Sequence, residues 1–276
     1  MTSDEQRPSP IDGNRTAVHR RSGSGVCQRF IGGPHPAPWT PTQDLGGAVH
    51  YGTLSLPARL LLLSWNGEKG KFTGGPDLHL VIRAGALAEL AQRGVIVESG
   101  GIVTPVTGAR TGDTVLDALA ELIEESRPRK WRGWMTHRSG NTLNEVRDQL
   151  TAHGYLRLER RRVLGLFPVR HWELERAGYA EALQADAGTV LRGPRPVTEV
   201  SESEAALVMC AATGKVRPFV TGRDRRRYRD RIAELTDRGG GASLEVTQQM
   251  RALRKALASA IAAAETARSS SGGDGG

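Results

Sequence analysis

Cysteine is nearly missing from this sequence, with two residues, Cys27 and Cys210, in 276. One lies in a Pro/Gly-rich stretch and the other in an apolar, helix-like one, which excludes a disulfide framework and a four-ligand cysteine metal site. Cys210 reads as a small core residue. Long apolar runs are missing too. The longest, through Leu60, Leu61, Leu62 and Leu63, stops at Ser64, far short of the ~20 residues that span a bilayer. The first residues carry arginine among Pro, Ser and Gly with no apolar signal core, so a cytoplasmic location is expected.

The signatures of common catalytic chemistry are also missing. The stretch Asn66 to Gly75, NGEKGKFTGG, approaches a phosphate loop, but Gly67 and Gly70 are too close together and Phe72 follows Lys71 where a Mg²⁺-binding Ser or Thr is needed. The Gly23-Ser24-Gly25 stretch lacks the third glycine of a dinucleotide fingerprint. Seven histidines are scattered without an HExxH pair, and no serine sits in a nucleophile elbow. A non-catalytic protein without cofactor or metal is the expectation.

Positive charge is present in excess, at 38 Lys+Arg against 30 Asp+Glu. Residues 1–53, rich in Pro and Gly, hold five Arg and four acids, whereas residues 54–268 hold 33 basic and 25 acidic residues. The excess therefore belongs to the part with apolar periodicity. Residues 1–53 and the Ser/Gly tail 269–276 read as disordered, leaving 54–268 as one domain. Within it the charge is blocked. An acidic face (Asp113, Asp117, Glu121, Glu124, Glu125) precedes a basic run (Arg127, Arg129, Lys130, Arg132, Arg138) that contains Trp131 and Trp134. Arg160, Arg161 and Arg162 form a third block. Arg223 to Arg231, diluted by Asp224 and Asp230, reads as a solvated face of one helix.

The periodicity predicts a mainly α, single helical domain with short β-hairpins. Helices are expected from Pro57 to Ser64, Arg83 to Arg93, Asp113 to Glu125, Asn141 to His153 and Ser243 to about Ala267. Gly94 and Gly154 sit where helices stop, and Ser201/Glu204 and Thr221/Asp224 have the spacing of capping boxes. Residues 90–96 (LAQRGVI) and 150–156 (LTAHGYL) echo each other at an offset of 60, suggesting a repeated unit of helix, glycine stop and hairpin. One basic hairpin is expected near 155–170, with strands Tyr155 to Leu158 and Val163 to Phe167 flanking a triple-arginine turn.

Cationic side chains beside aromatic ones suit a phosphate-bearing partner, either a membrane surface or a nucleic acid. Helix 141–153 followed by the Arg160–Arg162 hairpin has the layout of a winged helix, whose wing lies on a phosphate backbone. Against this, the outward residues Asn144, Glu145, Arg147, Asp148 and Gln149 are mixed in sign.

The segments LPARLLLL (56–63), IRAGALAELAQRGVI (82–96), TGDTVLDALAELI (111–123) and LERRRVLGLFPVRHW (158–172) together resemble the Golgi phosphoprotein 3 family, in order, over residues 54–265. The resemblance implies a cytoplasmic, peripherally membrane-associated domain that binds phosphatidylinositol 4-phosphate and acts as an adaptor for protein cargo. A family headgroup arginine falls on Arg83. A family tryptophan in the preceding loop has Phe72 as its nearest counterpart. Two further family arginines fall on Gly140 and Leu143, with Arg138 and Arg147 near enough to substitute. The family hairpin, here Glu159 to Arg170, implies membrane contact or self-association through Arg160, Arg161, Arg162, Phe167, Val169 and Arg170.

Overall fold

The structure is a computed structural model that describes residues 54–163 and 167–270, with the side chains of 160–170 excepted. The stretches 1–53 and 271–276 expected to be disordered, and the hairpin tip, lie outside the described residues. The chain is mainly helical, as its periodicity predicts. It runs through α1 (Leu56–Leu63), the small hairpin β1 (Trp65–Asn66) and β2 (Lys71–Phe72), α2 (Leu78–Gln92), the hairpin β3 (Ile96–Ser99) and β4 (Ile102–Pro105), α3 (Thr114–Glu125), α4 (Trp131–Thr136) and α5 (Ser139–Ala152). The antiparallel hairpin β5 (Leu156–Val163) and β6 (Phe167–Leu174) follows, then α6 (Ala177–Arg192), α7 (Glu202–Thr213), α8 (Gly222–Arg227), α9 (Arg229–Arg238) and α10 (Leu244–Ser270).

α2 is the axis of the domain. It contacts α1, α3, α4, α5, α7 and α10, and every residue from Leu78 to Ala91 except His79 is buried. A helix enclosed on all sides needs no polar stripe, so its first turns carry no 3.6-residue pattern. This corrects the expected start at Arg83: the helix begins at Leu78, and Arg83 sits in its second turn. Asp77 forms a two-pronged bond with Arg268 (2.7 and 2.7 Å), which fastens the end of α10 to the start of α2. Glu89 of α2 accepts the Leu56 N–H (2.6 Å), satisfying one of the free donors at the start of α1. α1 crosses α2 at Gly85, where a Cβ would collide with Leu60 Cδ1.

The internal echo is real in three dimensions. After α2, the N–H of Val95 donates to Leu90 C=O (2.9 Å) and that of Gly94 to Ala91 C=O (3.0 Å). After α5, Tyr155 donates to Leu150 (2.8 Å) and Gly154 to Thr151 (3.0 Å). Gly94 (φ +66°) and Gly154 (φ +69°) supply the left-handed residue that this closure requires. Each unit then forms a two-stranded hairpin.

Both expected capping boxes are present, at Ser201/Glu204 and Thr221/Asp224. Cys210, Trp131 and Trp134 are buried, and the Trp131 Nε1–H donates to Glu98 (2.6 Å), joining α4 to β3. Two local expectations change. The three arginines 160–162 lie inside β5, in register with Arg170, Val169 and Pro168, because the strands run much further than the apolar residues alone indicate. The single helix expected to carry Arg223 to Arg231 divides at Tyr228 (φ −103°, ψ 24°). Its Arg231 is not a solvated charge but donates to the carbonyls of Val190 and Arg195 (2.7 Å each). α10 continues through Ser270, into the stretch expected as tail.

Because the α1–α2 crossing depends on the absent side chain at Gly85, Gly85→Val should destabilise the domain by about 1–3 kcal/mol through overpacking. Urea unfolding monitored by circular dichroism checks this, and an unchanged midpoint would contradict the crossing.

Candidate functional site

Arg83 is 0% exposed, one of the largest fully buried side chains in the protein. Its Nη2 donates to the carbonyls of His137 (3.1 Å) and Arg138 (2.8 Å), the two residues that lead into α5. Arg138 adopts a left-handed conformation (φ 51°, ψ 30°), which costs a non-glycine residue roughly 1–2 kcal/mol. The other donors of Arg83, Nε and Nη1, have no hydrogen-bond partner among the described residues. Two buried donor nitrogens of one cation are thus left without an acceptor among the described residues.

Arg83 borders a cavity of about 210 Å³. α5 contributes Asn141, Thr142 and Glu145, and α3 contributes Glu121, Glu125 and the apolar Leu119 and Leu122, with Arg138 at the junction. No side chain caps the start of α5 among the described residues, so the positive end of its dipole lies beside the cavity. Burial pushes Arg83 down to about 10, against the pull of Glu145, and the guanidinium stays charged at neutral pH. The His137 imidazole is pushed down by burial and then by the surrounding Arg129, Arg138 and Arg83. Burial pushes the Glu145 carboxyl up, with Arg83 opposing and Asp148 reinforcing.

The sequence-predicted residues divide clearly. Arg83 and Arg138 meet at the cavity. Arg147 does not line it; its guanidinium lies over the Trp172 ring, 5.7 Å from the centroid, and ties α5 to β6. Phe72 does not line it either, and packs edge-on against Trp65 at 5.1 Å. Arg160, Arg161 and Arg162 are on β5, and Phe167, Val169 and Arg170 on β6, with Val163 opposite Phe167; their side chains lie outside the described residues. At the base of that hairpin Arg157 is held by Glu159, Glu173 and Glu175.

What sequence reasoning missed is the carboxylate side of the cavity. The acidic face of α3 is not uniform. Asp113 accepts from the N–H groups of Val115 and Leu116 as the helix cap, Asp117 holds Thr111 and Gly112, and Glu124 pairs with Arg110. Glu121 and Glu125, one turn apart, are the two that reach the cavity. Their spacing of four is a sequence signal, but the approach of Glu145 from α5 is not.

A larger cleft of about 380 Å³ between α9 and α10 holds Arg251, Arg254 and Lys255. There Arg251 is already clamped on Asp237 (2.6 and 2.8 Å), and none of its three cations is fully buried. The Arg83 cavity has two unused buried donor nitrogens on one guanidinium. Among the described residues no three His, Cys, Asp or Glu gather to hold a metal, and no helix is long and apolar enough to cross a membrane.

A sequence model of the family described as Golgi phosphoprotein 3 (GPP34) matches residues 56–265. No curated protein matches the chain significantly.

The raised Glu145 pKa means that the folded state binds the extra proton between the ordinary glutamate range and the raised value, so stability falls as pH rises through that window. Ionised Glu145 is therefore a cost at neutral pH. Glu145→Gln should melt above the parent protein near neutral pH, with the difference shrinking below the ordinary glutamate range. Thermal melts across pH check this, and a lower melting temperature for the variant at neutral pH would contradict it.

Proposed function

Since the chain belongs to the Golgi phosphoprotein 3 family, we propose that it is a non-catalytic peripheral membrane protein whose Arg83 cavity holds the phosphate of a lipid headgroup. The observation that carries this reading is the pair of open donors, Nε and Nη1, on a fully buried guanidinium. A buried charge without a full set of partners is costly, and a phosphate oxygen is the acceptor that best suits a guanidinium fork. The uncapped start of α5 adds N–H donors beside the same cavity. What supports the reading further is the family resemblance, which implies a headgroup arginine at Arg83 and phosphatidylinositol 4-phosphate as the lipid.

Attachment has a second, less specific part. Arg127, Lys130 and Arg132 are exposed in and beside the segment between α3 and α4, and each basic group near an anionic surface contributes ~1 kcal/mol. The β5–β6 hairpin is the further contact, with the membrane or with a second copy, and a protein cargo completes the adaptor role. Of the two partners suited by the basic blocks, the membrane is favoured over a nucleic acid. The outward face of α5 mixes Asn144 and Asp148, and Arg147 is committed to Trp172.

Vesicle flotation of the full chain tests the reading. Binding to vesicles containing an anionic phospholipid is expected at low salt and should weaken as salt screens the exposed cations. Arg138→Ala removes an exposed guanidinium and should weaken binding about fivefold, the equivalent of ~1 kcal/mol. Arg83→Lys keeps the charge but loses the fork, and should weaken it further. Absence of flotation at low salt, or full binding by a folded Arg83→Lys protein, would overturn the proposal.

A further inference from the structure

Beside its apolar stripe, α10 carries a basic one. Arg251, Arg254, Lys255 and Ala258 follow at steps of three, one and three, which places them on one side of the helix. Ala233, Thr236 and Asp237 lie likewise on one side of α9. The two sides line the cleft of about 380 Å³, which shares no residue and no helix with the Arg83 cavity.

The charges of this cleft are unequally partnered. Asp237, the one acid of its lining, accepts both prongs of Arg251 (2.6 and 2.8 Å), and that bond holds its carboxyl below the usual range. Arg254 is half-buried and Lys255 exposed, and neither has a hydrogen bond or ion pair among the described residues. Burial lowers Arg254 against the pull of Asp237, a carboxylate already engaged by Arg251. Three cations and one anion thus leave two positive charges in a recess without counter-charge.

We infer that the α9–α10 cleft is a docking surface for an acidic peptide segment of a partner protein, whose carboxylates run along α10 and meet Arg254 and Lys255. This inference does not depend on the headgroup reading. The cations are strung along a helix, about 6 Å from Arg251 to Lys255 at 1.5 Å per residue, which suits a row of carboxylates better than one phosphate. Arg254 lies between two helices, where a peptide side chain reaches it more readily than a flat bilayer does. A peptide can also set an uncharged side chain beside Asp237, which a nucleic-acid backbone, charged at every unit, cannot. The small side chains of Ala233 and Ala258 leave the cleft open, and its volume equals roughly a dozen waters at ~30 Å³ each, enough for several side chains.

Protein-observed NMR titration of the full chain at low salt tests this, with a glutamate octapeptide as the probe and an octathymidylate strand as the phosphate-bearing comparison. The side-chain signals of Arg254 and Lys255 should shift and saturate with the octapeptide. Lys255→Gln, at an exposed position, should weaken binding about threefold, and Arg254→Gln about tenfold. Arg138→Ala should leave the octapeptide affinity unchanged, and Lys255→Gln should leave vesicle flotation at the level of the parent protein. No octapeptide binding, full octapeptide affinity in Lys255→Gln, tighter binding of octathymidylate at the same signals, or weakened flotation of Lys255→Gln would overturn the inference.

Discussion

A single buried guanidinium joins the axis of this domain to its site. Arg83 projects from the central helix α2 and gives one nitrogen to two successive carbonyls, those of His137 and Arg138. Hydrogen bonds from a charged donor are each worth about 1.5–3 kcal/mol, enough to hold the left-handed turn at Arg138 against its backbone cost. That turn fixes where α5 begins, and α5 forms one wall of the cavity. Because the same guanidinium closes the turn with Nη2 and leaves Nε and Nη1 open, the fold and the proposed site share one side chain. A variant at this position therefore affects both, and Arg138 is the cleaner handle on binding.

Stability and binding pull in opposite directions here. The interior would hold α2 more cheaply with an apolar residue at position 83 and an amide at position 145. Instead both charges are kept in places that penalise them, Arg83 lowered to about 10 and Glu145 raised. Groups held against their solvation preference around one cavity are the usual mark of a functional site. Several other charges are satisfied locally, as at Asp77 with Arg268, Asp237 with Arg251 and Arg157 with its three glutamates.

How much of this could be read in the sequence follows from the range of the interactions. Capping at Ser201 and Thr221 is decided within four residues, and the glycine stops at 94 and 154 within six, so both were legible and the repeat with them. α2 was half legible, because a helix buried on every side loses the polar stripe that marks its face and its first turn passes unnoticed. The strands of the basic hairpin were underestimated because arginines at 160–162 look like a turn unless the register with 168–170 is known. Arg83 itself stood out through the family resemblance. The cavity did not, since it gathers residues from positions 83, 118–125 and 138–145, and only tertiary packing of α2, α3 and α5 brings those segments together. In the sequence Glu121 and Glu125 are therefore indistinguishable from the rest of an acidic face, although Asp117 and Glu124 have partners among the described residues.

The most direct measurement of the central claim is the Arg83 Nε–Hε resonance in a side-chain NMR titration with inorganic phosphate. If the open donors of Arg83 are the anion contact, this resonance shifts downfield and saturates, while the clamped guanidinium of Arg251 at the α9–α10 cleft stays in place. A static Arg83 signal alongside shifts of exposed arginines elsewhere would contradict the account.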